Sequence, residues 1–253
     1  MRDQLRWLDV PEEEHAAIIA SMPDPDRTPE QWQALQEVTA ALLDDLGTLT
    51  STVNWPADGC PLHAYLAVLP QVREWHAKQG IPEEISRATL AQFGSRVRQG
   101  EVTRHHWFTR HIRGSLYRLG RLQFDRAEPV LEVHIPGDGP LTPAACDESF
   151  AAAKPFFAKH FPEEHYDRAT CSSWLLDPQL ADYLPVDSNI LRFQRRFTLL
   201  SRGEPGDDEI VEFIFGTGAG PNLPRQTTLQ RAIADHLAAG NHWYHVLGSV
   251  ELP

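Results

Sequence analysis

The stretch Val130-Leu131-Glu132-Val133-His134-Ile135-Pro136-Gly137-Asp138-Gly139-Pro140-Leu141-Thr142-Pro143 reads as a strand, a glycine loop and the start of a helix. Side chains alternate across a strand, so Leu131, Val133 and Ile135 share one face and Glu132 and His134 the other. In a sheet covered on both sides, that carboxylate and imidazole stand close together in a partly dry place. Such a setting tunes proton affinity in a residue that already titrates near neutrality. A strand face open to solvent, or a core histidine satisfied by a neighbour, is the plainer reading. Gly137 and Gly139 permit close backbone approach, and Thr142-Pro143 opens a helix whose first amides point outward, an anion-binding geometry. Pro140 and Pro143 donate no amide hydrogen and Asp138 repels a phosphate, which leaves an ordinary strand-to-helix turn as the alternative.

Working outward, the N-terminal side reads helical. Thr28-Pro29-Glu30-Gln31 has the pattern of a capping box, followed by Trp32, Leu35, Val38, Leu42 and Leu46 at helical spacing, with Gly47 as the stop. Further helices are expected over Pro11–Met22, Leu62–Gln79 (kinked or split at Pro70) and Pro82–Gln99. Beyond Gly114 the predicted strands are Ser115–Asp125, Val130–Pro136, Ala169–Leu176, Ile190–Leu200, Ile210–Phe215 and His242–Val250. Helices are expected from Thr142 toward His160, interrupted at Pro155, and from Thr228 to Ala239. Gly203–Asp208 reads as a hairpin loop and Gly216–Arg225 as a longer one. The expected class is α+β: an α-helical domain over residues 1–112, then a mixed β-sheet domain with flanking helices over 113–253.

Composition narrows the function classes. The chain has 253 residues, 42% hydrophobic and 23% charged, as ordinary globular proteins do. No apolar run is long enough to span a membrane, and the start lacks the apolar core of a signal peptide, so a cytoplasmic protein is expected. Residues 1–80 carry 13 acids against 5 bases and residues 127–253 carry 18 against 9, which argues against a nucleic-acid partner. Residues 81–126 hold 9 arginines against 4 acids. Arg104, Arg110, Arg113, Arg118 and Arg121 lie close together there, as a salt-bridged face or as a seat for a phosphate-bearing small ligand. Cys60, Cys146 and Cys171 form no Cys-x-x-Cys, and His105, His106 and His111 have no local carboxylate or cysteine beside them, so no metal is expected.

Two other segments carry candidate residues. Ile190–Leu200, read as a strand, puts Arg192 and Arg196 in one polar row able to pair Glu132 or to hold an acceptor's carboxylate bidentately. Cys171-Ser172-Ser173-Trp174 offers a thiol and hydroxyls on a strand, where a cysteine is usually a small buried apolar group. Trp174 joins the two arginines as a candidate substrate contact.

The runs RLGRLQFDR (118–126), HIPGDGPLTPAACDESF (134–150) and CSSWLLDPQLADYLP with DSNILRFQRRF (171–197) resemble a family of two-domain GNAT-like acyltransferases. Relatives include N-acyltransferases that put fatty acyl groups on glycopeptide antibiotics. The likeness covers about 115–253, and the helical half in general layout. It implies a splayed mixed sheet, acyl-CoA as donor, and Ile135, Gly137, Gly139, Leu141 and Thr142 as its contacts, the glycine loop taking the pyrophosphate. It sets His134, supported by Glu132, beside the thioester as the base for a small-molecule amine acceptor. His134 stands three places before Gly137, where the family's loop usually has arginine or glutamine. A GNAT-like module that binds a ligand without turnover is the alternative. The sequence carries no indication of oligomeric state.

Overall fold

A computed structural model describes residues 1–55, 61–98, 106–216, 218–220 and 222–253. The chain forms two compact units, Met1–Leu119 with Gln123–Ala127, and Gly120–Leu122 with Glu128–Pro253.

The first unit contains α1 (Arg2–Trp7), α2 (Glu12–Ala20), α3 (Pro29–Asp44), α4 (Pro61–Lys78), α5 (Glu83–Arg98) and α6 (His106–Ile112), then β1 (Leu116–Leu119) and most of β2 (Leu122–Ala127). Leu35, Val38 and Leu42 of α3 and Leu66, Leu69 and Val72 of α4 are buried in one apolar core with Leu5, Leu8 and Phe108. Each such side chain contributes about 1.5–3 kcal/mol relative to being left in water. Helix α4 runs unbroken through Pro70, which lies on its exposed face. The capping box expected at Thr28 does not form. The Thr28 hydroxyl instead accepts from the Asp24 amide at 2.8 Å, closing the preceding turn. Gly114 has φ +75, and a Cβ there would lie 2.2 Å from the Trp75 ring, so this position needs glycine for both conformation and space.

The second unit contains β3 (Val130–His134), α7 (Pro143–His160), β4 (Arg168–Ser173), two 3-10 turns (Trp174–Leu176 and Pro178–Asp182), α8 (Asn189–Gln194), β5 (Thr198–Pro205), α9 (Asp207–Phe215), α10 (Thr228–Ala238) and β6 (Tyr244–Glu251). Within the second unit the strand order is β3-β4-β6-β5. Strands β3 and β4 are parallel, with α7 as their crossover, while β6 runs antiparallel to both β4 and β5. The class is α+β, as the sequence implies. Pro155 also leaves its helix unbroken and is exposed. Buried Asp177 accepts from the amides of Gln179 and Tyr244, at 3.0 and 2.9 Å, tying the second 3-10 turn to β6. A capping box does form at Thr227–Gln230, where hydroxyl and side-chain amide each accept from the other residue's backbone N–H at 3.1 Å.

Four strand assignments change. Ser115–Asp125 is two strands, broken at Gly120 (φ +69) and Arg121. Ala169–Leu176 leaves the sheet at Trp174, where the Ser173 hydroxyl accepts from the Leu175 amide and starts a 3-10 turn. Ile190–Leu200 begins as α8, with the Ser188 hydroxyl accepting from the Leu191 amide, and turns to strand only at Thr198. Ile210–Phe215 is helical. Asp207, Asp208 and Glu209 favour its N-terminal dipole, Gly216 at φ +92 ends it, and Ile210 is its buried anchor. The expected hairpin loop at Gly203–Asp208 is thus the end of β5 and the start of α9. Among the described residues no helix is long and apolar enough to cross a membrane.

Candidate active site

Strand β3 alternates as read, with Leu131 and Val133 buried and Glu132 and His134 half-buried. His134 Nε2 lies 3.9 Å from Glu132 Oε2. The parallel register with β4 pairs Leu131 with Ala169 and Glu132 with Thr170. Beyond those rungs β3 runs on to His134 and β4 to Ser173, so His134 stands where the two strands part.

After β3, Ile135 is half-buried, Gly137 to Pro140 are exposed, and Leu141 is buried again, anchoring the loop before α7. Thr142 caps α7 by accepting from the Ala145 amide at 3.4 Å. Arg121 holds the loop's shape. Its Nη2 donates to the carbonyls of Pro136 (2.7 Å) and Gly139 (2.6 Å), and its Nε to that of Pro140 (3.1 Å). The same guanidinium has Nη1 3.9 Å from Asp138 Oδ1. The loop's peptide bonds are trans, so a carbonyl and the following amide point in opposite directions. With the Pro136 and Pro140 carbonyls drawn onto Arg121, the amides of Gly137 and Leu141 are turned away from it. The Ala144 amide, in the first turn of α7, likewise has no partner within its helix.

A second arginine braces the same helix start. Arg196 donates to the Pro143 carbonyl at 3.0 Å and pairs Asp147 through Nη2 at 2.6 Å. Its partner is therefore Asp147 rather than Glu132. Arg192, on α8, is exposed, and its carbonyl accepts from Arg196 at 2.9 Å. Cys146, buried in the first turns of α7, has its thiol pushed up by burial, with the charges of Arg196 and Arg121 pulling the other way.

Trp174 is buried and meets the ring of Phe213 edge-on at 6.1 Å. Phe213 is 51% exposed, and its ring tip would lie 3.3 Å from a Cβ at Gly137. The structure thus brings Trp174 and the glycine loop together around Phe213, a residue the strand reading of Ile210–Phe215 does not single out. Burial pushes the Cys171 thiol up to about 12, with the Glu132 charge adding to it, so this sulfur is no nucleophile near neutral pH.

In the five-arginine run, Arg110, Arg113 and Arg121 make structural contacts. Arg110 pairs buried Asp125 at 2.6 Å, and Arg113 donates to Ser115 at 3.1 Å. Arg104, His105 and Cys60 lie outside the described residues. His111 is buried against the Trp107 carbonyl and the Gln123 amide, at 3.0 Å each.

Residues 1–114 match the family model of the N-acyltransferase N-terminal domain, and residues 116–250 that of the GNAT-like C-terminal domain. A search of curated proteins found no match. Among solved structures, the chain is similar to an acyltransferase variant in complex with octanoyl-CoA (40% identity, TM-score 0.91). It is similar also to acyltransferases in complex with CoA and 10C-teicoplanin (40%, 0.90) and with decanoyl-CoA and teicoplanin (41%, 0.89). Each match covers 100% of this chain and 87% of the other. The chain belongs to the two-domain acyltransferases in which an N-acyltransferase N-terminal domain precedes a GNAT-like C-terminal domain.

Proposed function

We propose that the chain moves an acyl group from acyl-CoA to an amine on a small-molecule acceptor of the glycopeptide kind. The observation that carries this is the match along the whole chain, at 40% identity, to acyltransferases bound to acyl-CoA and to teicoplanin. The donors at Gly137, Leu141 and the α7 start support a pyrophosphate there, with Ile135, Gly139 and Thr142 completing the donor contacts. Trp174 lies beside that loop through Phe213. Arg192, exposed on α8, is the arginine left to meet an acceptor carboxylate, since Arg196 is engaged by Asp147.

In this reading the amine lone pair forms a C–N bond to the thioester carbonyl carbon, and the proton lost from nitrogen goes to His134. Glu132, at 3.9 Å, favours the imidazolium that results. The oxyanion collapses, the C–S bond breaks, and the sulfur leaves as the thiol of CoA once protonated. No enzyme nucleophile takes part. A positioned base contributes about 10²–10⁴-fold. His134→Ala is expected to lower kcat by about a hundredfold or more while the dissociation constant for CoA stays within about threefold. Turnover with decanoyl-CoA and a glycopeptide amine, set beside calorimetric CoA binding, tests this, and unchanged kcat removes His134 from the chemistry.

A further inference from the structure

We propose that Arg121 is the positioning residue of the donor loop, filling from the turn between β1 and β2 the place left without an arginine or glutamine at His134. This rests on the reading of residues 135–142 as the site of the CoA pyrophosphate. Three carbonyls, from Pro136, Gly139 and Pro140, accept from one guanidinium at 2.6–3.1 Å. The side chain is 9% exposed, so its fork is spent inward on the loop. A planar guanidinium with several fixed donors can bind separate carbonyls at once, which an ammonium on a flexible stem does less well. The result is a backbone whose amides face the opposite way before any ligand arrives. Preorganised donors of this kind lower the cost of ordering the site on binding.

The arginine is itself seated by the helix whose N-terminus it serves. Ser149 of α7 accepts from the amides of Arg121 at 2.9 Å and Leu122 at 3.3 Å, and donates to the Ala145 carbonyl at 2.8 Å. A Cβ at Gly120 would lie 3.1 Å from that hydroxyl, so the turn is pressed against it. Turn, loop and helix start therefore form one bonded unit: Ser149 fixes Arg121, and Arg121 fixes the loop.

The test compares CoA with pantetheine, which lacks the pyrophosphate, as calorimetric ligands and as decanoyl thioester donors. Arg121→Ala is expected to weaken CoA binding about tenfold or more while kcat/KM with decanoyl-pantetheine stays within about twofold. Arg121→Lys, which keeps the charge but not the fork, is expected to recover little of the loss. Ser149→Ala is expected to show the same selectivity for the pyrophosphate-bearing donor at smaller size, and with Arg121→Lys it carries the test if Arg121→Ala does not fold. Equal loss with both donors, no loss of CoA affinity, or full rescue by lysine overturns the assignment. Wild-type protein that binds CoA no more tightly than pantetheine overturns the pyrophosphate reading itself, and the assignment with it.

Discussion

His134 and Cys171 show how differently one sheet can treat two reactive side chains. His134 is half-buried where β3 and β4 part, within reach of a carboxylate, whereas Cys171 faces the interior with its thiol pushed up to about 12. Replacing Cys171 with Ala should leave kcat within about threefold, because a protonated buried thiol has no part in direct transfer. A collapse of kcat in a variant that keeps its melting temperature would make the thiol a participant in the chemistry. Gly139 has ordinary φ, and the nearest atom to an added Cβ is Arg121 Nε at 4.0 Å. The fold has room for Gly139→Ala, so its melting temperature should move little. If the loop lies against a phosphate, the methyl group raises KM for acyl-CoA several-fold. An unchanged KM would mean the ligand does not approach the backbone there.

Elements differ in how much of them a sequence shows. Helices α3 and α4 are readable because their apolar residues recur at helical spacing and end in glycine, and β3 with its loop is readable because all its parts are consecutive. Helix α8 and strand β5 are not: an alternating run masks a short helix started by Ser188, and only hydrogen bonding to that serine separates the two. Helix α9 is hidden by β-branched and aromatic residues, although its three leading acids and closing glycine are visible end signals. Arg121 is the clearest loss. It stands in a run of arginines, and its three carbonyl partners lie 15–19 residues further along the chain, where no local pattern points back to it. Elements also carry the acid sensitivity. Burial lowers His76 of α4 and His111 of α6 from 6.5 to about 4, so the folded unit binds fewer protons than the unfolded chain between those values. The stability this allows is complete above pH 6.5 and falls as pH drops toward 4, by about 3 kcal/mol for each histidine. Melting temperature followed from pH 7.5 to 4.5 should fall steeply in wild type and less in His76→Gln/His111→Gln; parallel curves would contradict it.

At the scale of the molecule, the α+β class and the succession of helical and mixed-sheet segments are legible in the sequence, since helical spacing dominates before Gly114 and strands interleave with helices after it. The GNAT-like character is legible only through the resemblance of the runs at 118–126, 134–150 and 171–197. The loop after β3 depends on long-range bonds: Arg121 from one turn binds the loop and Arg196 from another the first residue of α7, and folding has to bring them there. Acyl-CoA donation to an amine is the central claim, and its most direct test is a mass measurement of both products from one reaction. Wild-type protein incubated with decanoyl-CoA and a glycopeptide bearing a free sugar amine should yield an acceptor heavier by one decanoyl group for each CoA thiol released. Thiol release with no mass gain on the acceptor, or neither product, would contradict the account.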